Sequence, residues 1–210
     1  TAPCVRAETE SGFTSLFDGT TLNGWKYVGN PATAYYVTNG VIVCPENCGG
    51  DLFTEKEFAD FVLRLEFKPE SGGNNGVGIR TPLGKPGEQM AYLGNEIQIL
   101  DDKAPKHANI KPWQVSGSLY GIKPAKGGMP KIGEWNAYEI SAQGRRIKVR
   151  LNGKEIVDAD INEVRDPEVL RRHPGMFRDS GRIGFLGHSS HVEFRNVRVK
   201  ELPVEEKDNK

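Results

Sequence analysis

The stretch DFVLRLEFK, residues 60–68, alternates without a break. Phe61, Leu63, Leu65 and Phe67 fall on one side of an extended chain, and Arg64, Glu66 and Lys68 on the other. Side chains of a strand point to opposite faces with a period of two, so this is a β-strand with one buried and one wet face. The same reading extends outward. Ile147, Val149 and Leu151 alternate with Arg146, Lys148 and Arg150, then Asn152-Gly153 leads into KEIVDA. Asn-Gly between alternating runs marks a hairpin, because both residues tolerate positive φ. Asn39-Gly40 predicts a second hairpin between AYYV and VIVC. Further strands are expected at 75–80, 95–100, 117–122, 136–143, 181–187 and 192–202. In the last one the apolar phase shifts between Phe194 and Val197, which predicts a bulge at Arg195-Asn196. One short helix at most is expected, at DPEVLRRH (166–173), with Pro167 in its first turn.

So many strands with so little helix imply an all-β fold, two antiparallel sheets stacked as a jelly-roll sandwich. With 210 residues, the chain has the length of one such domain, expected over 12–203, with an extension at 1–11 and a frayed tail at 204–210. The 25 glycines and 13 prolines fit many turns between short strands. Lys plus Arg and Asp plus Glu each number 28. That neutrality excludes the basic excess of a nucleic-acid binder, and no apolar run is long enough to span a bilayer as a helix. The sequence starts at Thr1 without Met, which leads to the expectation of a removed leader and an exported protein, periplasmic or extracellular. Of the cysteines Cys4, Cys44 and Cys48, the last two stand close enough for a small loop disulfide. A structural bridge and plain buried thiols both remain open, whereas zinc lacks nearby ligands. The sequence does not fix the oligomeric state.

Polar residues sharing a sheet face locate a candidate site. If Ile97 and Ile99 point to the core, Glu96 and Gln98 point outward together. By the same alternation Gly76, Gly78 and Arg80 face outward from 75–80, and Ser118 and Tyr120 from 117–122. The result is a polar patch over a glycine floor, a surface suited to a sugar. Asp101-Asp102 read as turn residues. His188 lies in a turn between two strands, placed for proton transfer or metal ligation; His107 rims the site from the loop 101–114, and His173 reads as structural. Serine-hydrolase, P-loop and metalloprotease motifs are absent. Only one carboxylate is visible on the patch, so conventional glycoside hydrolysis needs a second acid elsewhere, Asp101 or Asp102 being the candidates.

These residues carry a resemblance. GFTSLFDGTTLNGWK (12–26), DFVLRLEFKPESGGNNGVGIR (60–80), GNEIQILDD (94–102), SGSLYGI (116–122), GEWNAYEI (133–140), VRLNGKEIVD (149–158) and GRIGFLGHSSHVEFRNVRVKEL (181–202) resemble, in order, the bacterial 3-keto-disaccharide hydrolase domain family. The resemblance implies a concanavalin A-like fold, an exported protein and activity on glycosides oxidised to a ketone at C3. The carbonyl acidifies the C2 hydrogen; a base removes it, the C1 substituent is eliminated, and water adds back to the 2-hydroxy-3-keto-glucal. The resemblance also implies an electrophile on the enolate oxygen, supplied by a divalent metal of unknown identity, with no organic cofactor. Matched to the family's motifs, Glu96 is base or metal ligand and His188 metal ligand or base. Tyr120 is acid or stacking platform, and Arg80, Gln98, Asn75 and Asp101 are substrate-binding. Gly187 stands where the family carries an Asp before this His, and Gly121 at a commonly acidic position. The alternatives are a non-catalytic carbohydrate-binding module and a conventional two-carboxylate glycosidase.

Overall fold

The computed structural model describes residues 10–203. Cys4, most of the expected N-terminal extension and the tail at 204–210 lie outside the described residues. In chain order the strands are β1 (Thr14–Ser15), β2 (Trp25–Val28), β3 (Tyr36–Thr38), β4 (Val41–Cys44), β5 (Asp51–Thr54), β6 (Phe61–Pro69), β7 (Asn74–Thr81), β8 (Asn95–Leu100), β9 (Asn136–Gln143), β10 (Arg146–Leu151), β11 (Lys154–Asp160), β12 (Arg182–Gly187) and β13 (Val192–Glu201). They form two antiparallel sheets, a jelly-roll sandwich. One has the order β11-β10-β9-β6-β13-β4-β3, with β1 also on β13; the other has the order β2-β5-β12-β7-β8.

The strand that decides the fold, β6, lies inside the larger sheet between β9 and β13, and Phe61, Leu63, Leu65 and Phe67 are buried as the alternation requires. They meet Val77, Ile79, Ile97, Ile99 and Phe185 of the smaller sheet in one core. Phe185 stacks on Phe194 of the opposite sheet at 3.8 Å between ring centres. The hairpin turns hold Asn39-Gly40 and Asn152-Gly153, all four at positive φ. The phase change in β13 is a register shift between Arg195 and Arg198, with Asn196 at φ 52°.

Two expectations need correction. Residues 117–122 are a turn-rich segment rather than a strand, joined to the smaller sheet by a bridge between Ile97 and Leu119. The helix α2 (Pro167–Arg172) forms as expected, with the Asp166 side chain accepting from the Glu168 and Val169 amides, but a one-turn helix α1 (Met90–Leu93) also occurs. Met90 packs with Phe53 and Leu186 on the outer face of the smaller sheet. Three apolar residues at 53, 90 and 186 share no local period, so no single-segment pattern announces α1.

Candidate active site

Along β8 the core claims Ile97 and Ile99, leaving Glu96 and Gln98 on the outer face of the smaller sheet. Their register partners on β7 are Gly78 and Gly76. A β-carbon at Gly76 would overlap the Glu96 carboxyl, so the glycine is what lets that side chain lie flat across the neighbouring strand. The 85–92 segment, the 107–120 loop and the turn after β12 rise around this floor and enclose a cavity of about 480 Å³. That volume suits a small saccharide or comparable ligand.

Glu96, Gln98, Tyr120 and His188 all line the cavity, and His107 rims it. The structure does not bring the other three expected residues there. Arg80 sits at φ 51°, and this left-handed residue breaks the alternation of β7. Its guanidinium turns away, pairs with Asp60 at 2.7 Å and donates to the carbonyls of Ala59 and Gly144. Arg80 is thus a buried clamp between the sheets, not a substrate ligand. Asn75 shares the inner face with Val77 and donates to the Tyr35 hydroxyl at 3.2 Å. Its neighbour Asn74, one residue out of phase, faces the cavity with an unpartnered buried Oδ1. Asp101 closes the turn after β8 by accepting from the Gly72 and Lys103 amides. Asp102 accepts from the Ser116 amide, and both aspartates border a different, smaller hollow. Neither is the second acid of this site.

A second carboxyl lining the cavity is that of Asp51, at the start of β5. Leu52 faces the core, so Asp51 faces the cavity, where its Oδ1 accepts from the Gly187 amide at 3.2 Å. Four-residue β5 is too short to stand out by alternation; once it is recognised, the face logic that found Glu96 finds Asp51 as well.

Burial dominates the electrostatics. It raises the Asp51 carboxyl to about 7, against the pull of the Gly187 amide. Glu96 is 2 % exposed and its Oε1 has no hydrogen-bond partner. Burial first, and the Asp51 charge second, raise it to about 8. The effect runs one way because Asp51 ionises first, while Glu96 is still neutral, and Glu96 then loses its proton against a charge already present. Gln98 adds a second buried acceptor, Oε1, with no partner.

Tyr120 is held by backbone: its amide donates to the Glu96 carbonyl at 2.9 Å. Burial raises its phenol above the ordinary value. Trp113 packs edge-on against its ring at 5.2 Å, and Tyr92 lies at 6.2 Å. His188 stands exposed at the rim, where the surrounding protein lowers its pKa and solvent limits the effect. The ring is therefore neutral at pH 7. His107 donates its Nδ1–H to the Asp101 carbonyl at 2.8 Å, since a carbonyl can only accept.

Among the described residues no group of three or more His, Cys, Asp and Glu side chains stands together to hold a metal ion. Glu96 and His188 share the cavity but gain no third ligand of that kind, so a closed zinc-like site does not fit. The Asp51 and Glu96 carboxyls, with the orphaned Gln98 oxygen, are hard donors, and they fit an ion of the magnesium or manganese type that keeps water and substrate oxygens in its shell.

A family model described as the 3-keto-alpha-glucoside-1,2-lyase-like domain matches residues 12–200. The chain is 26% identical to a 3-keto-disaccharide hydrolase of Bacteroides thetaiotaomicron, over 91% of this chain and 79% of that protein. A crystal structure of a provisionally assigned glycosyl hydrolase from Parabacteroides distasonis superposes with a TM-score of 0.74 at 30% identity, covering 90% of this chain and 99% of that one. The carbohydrate-binding module CBM66 of Bacillus subtilis shares the fold, with a TM-score of 0.56 at 14% identity over 85% of this chain and 96% of that one.

Proposed function

Since the chain belongs to the family of 3-keto-alpha-glucoside-1,2-lyase-like domains, we propose that it cleaves 3-keto-glycosides, a carbohydrate-active enzyme working through the Asp51–Glu96 cavity. The observation that carries this reading is the pair of buried carboxyls lining one cavity, raised to about 7 and about 8. Two acids whose environments separate their proton affinities divide the labour of proton transfer. Asp51, the first to ionise, takes the C2 proton that the C3 ketone has made acidic. Glu96, still protonated at neutral pH, gives its proton to the departing C1 oxygen. Breaking the C2–H bond puts the electron pair into the enolate, and expelling the C1 substituent leaves the 2-hydroxy-3-keto-glucal. Water then adds across that double bond, with the carboxyls in reversed roles.

Gln98 and Asn74 present amide groups to the sugar hydroxyls, and Tyr120 with Tyr92 offers aromatic faces to the ring or aglycone. His188 at the rim is a neutral proton acceptor near the point where water enters. Were a divalent ion bound, the Asp51 and Gln98 oxygens would hold it and it would polarise the C3 carbonyl, while Glu96, keeping its proton as the acid, would stay outside its shell. An exported, periplasmic or extracellular setting fits such a substrate and is part of the same proposal.

The test is turnover of a 3-keto-disaccharide, read as free sugar and transient enone absorbance. Glu96→Gln and Asp51→Asn are each expected to lower kcat by about 10²–10⁴-fold. Wild-type turnover by either variant removes that residue from the reaction. A second reading is favoured by the same pair: two carboxyls across one cavity also suit conventional glycoside hydrolysis. It predicts cleavage of the unoxidised disaccharide, which the elimination route leaves intact. Saccharide binding with no cleavage of either compound would mark a binding module.

A further inference from the structure

We propose that Cys44 and Cys48 are a disulfide-forming pair whose bridge fixes the cavity wall carrying Asp51 and His188. Cys44 ends β4, and Cys48 closes the turn that follows, its amide donating to the Pro45 carbonyl at 3.1 Å with Asn47 at φ 67°. Both side chains are fully buried. They face each other: the hydrogen bond between the two thiols, with burial added, holds Cys44 up, and the same bond holds Cys48 down against its burial. Cys48 is the attacking sulfur of the pair, since the thiolate is the nucleophile. Tyr27 closes one side, its hydroxyl 3.9 Å from Cys48 Sγ, and Tyr35 the other. Both are free thiols in this structure, and the turn already brings them into hydrogen-bonding contact, so the bridge has no long loop to close.

What the bridge would hold is the wall. The Cys48 carbonyl accepts from the Ser189 amide at 2.8 Å, and the Gly50 carbonyl from the Gly187 amide at 3.2 Å. Asp51 accepts from that same Gly187 amide. The segment 48–51 and the turn 187–189 are thus laced together on either side of His188. The lacing is tight: a β-carbon at Gly187 would run into the Gly50 carbonyl, which leaves no room for the family's aspartate at this position.

The chemistry is thiol–disulfide exchange with a small disulfide such as oxidised glutathione. Cys48 thiolate attacks one glutathione sulfur and releases the other as a thiolate. Cys44, losing its proton, then attacks the mixed disulfide at Cys48 and releases the second glutathione. One S–S bond forms in the protein and one breaks in glutathione, and the two protons end on two glutathione thiols.

The experiment uses the whole chain with Cys4→Ser, unfolded and refolded with a glutathione redox pair. Alkylation in denaturant is expected to label neither remaining cysteine, and to label both after reduction. The bridged form is expected to melt about 4–8 °C higher than the reduced form. Amide exchange at 48–51 and 187–189 should be slower in the bridged form. Carrying Cys44→Ala and Cys48→Ala together should abolish every difference made by the reductant. Two alkylated thiols after refolding, persistent glutathione adducts, or equal melting and exchange in the two redox forms would each overturn the proposal. None of these readouts involves a saccharide, so they stand or fall apart from the proposed reaction.

Discussion

Glu96 lies across Gly76 with an oxygen that bonds to nothing in the protein. Gly76→Ala puts a methyl where that carboxyl rests, and the side chain, not the backbone, must give way. The expected result is a folded protein destabilised by about 1–2 kcal/mol with kcat lowered about 100-fold, checked by urea unfolding and 3-keto-disaccharide turnover. Arg80 gives the opposite outcome. Asp60→Ala strips a wholly buried guanidinium of its partner carboxylate and is expected to cost about 3–5 kcal/mol of stability, while KM stays unchanged at a temperature where the variant is folded. Both residues were read from the same alternation, and only Glu96 was placed correctly. The period of two holds along a strand until a residue turns left-handed, and Arg80 is such a residue. Asn75 is assigned by the resemblance alone; the alternation that puts Val77 in the core puts Asn75 there as well and leaves its neighbour Asn74 to the cavity. Asp51 was missed because four residues carry too little pattern to reveal a strand.

At the scale of elements, long alternating segments declared themselves and short docked ones did not. Strands β6, β9, β10 and β13, both Asn-Gly hairpins and the bulge were legible, because burial on one face writes a period into the sequence. The segment 116–123 was legible as extended chain but not as what it is, a turn fastened to the edge of β8. Its bonds run from the Gly117 amide to the Gln98 carbonyl at 2.7 Å, from the Gln98 amide to Ser118 and from the Tyr120 amide to Glu96. It carries Tyr120 into the cavity and then turns at Gly121, at φ 71°, where a β-carbon would collide with the buried His173 ring. This contact explains why no acidic side chain follows Tyr120 here. Gly121→Ala should therefore cost about 1–3 kcal/mol and lower turnover by displacing Tyr120. Thermal melting and kcat, measured together, check it; an unchanged kcat would separate Tyr120 from the reaction.

Across the whole molecule, the two sheets are tied by polar clamps as well as by the core, and the site draws on both. Arg80 crosses to Asp60 and Gly144, and the Tyr138 hydroxyl crosses to the Gln98 carbonyl at 2.8 Å, behind the cavity floor. These clamps hold β8 in the sandwich, and with it the buried place of Glu96 on the cavity floor that raises its pKa. The linkage follows from that. Asp51 and Glu96 lose their protons at about 7 and about 8 in the folded chain, and near their ordinary values of 3.8 and 4.5 when unfolded. Between those limits the folded state holds more protons on these two groups, so their contribution to stability is fully present below pH 4, is lost as pH rises through 5 to 8, and levels above. Glu96 alone accounts for a loss on the order of 3–5 kcal/mol by pH 9. Urea unfolding at pH 5 and pH 9 should show the decline, and Glu96→Gln should flatten it, leaving the variant more stable than the wild type at pH 9. The rate is expected to follow a bell with its maximum between about 7 and 8, where Asp51 has lost its proton and Glu96 still keeps one. Stability and activity thus answer to the same two protons: the pH range in which the pair can work is the range in which its burial strains the fold. A stability curve flat from pH 5 to 9, beside a bell-shaped rate, would break that link and move the working acids elsewhere in the cavity.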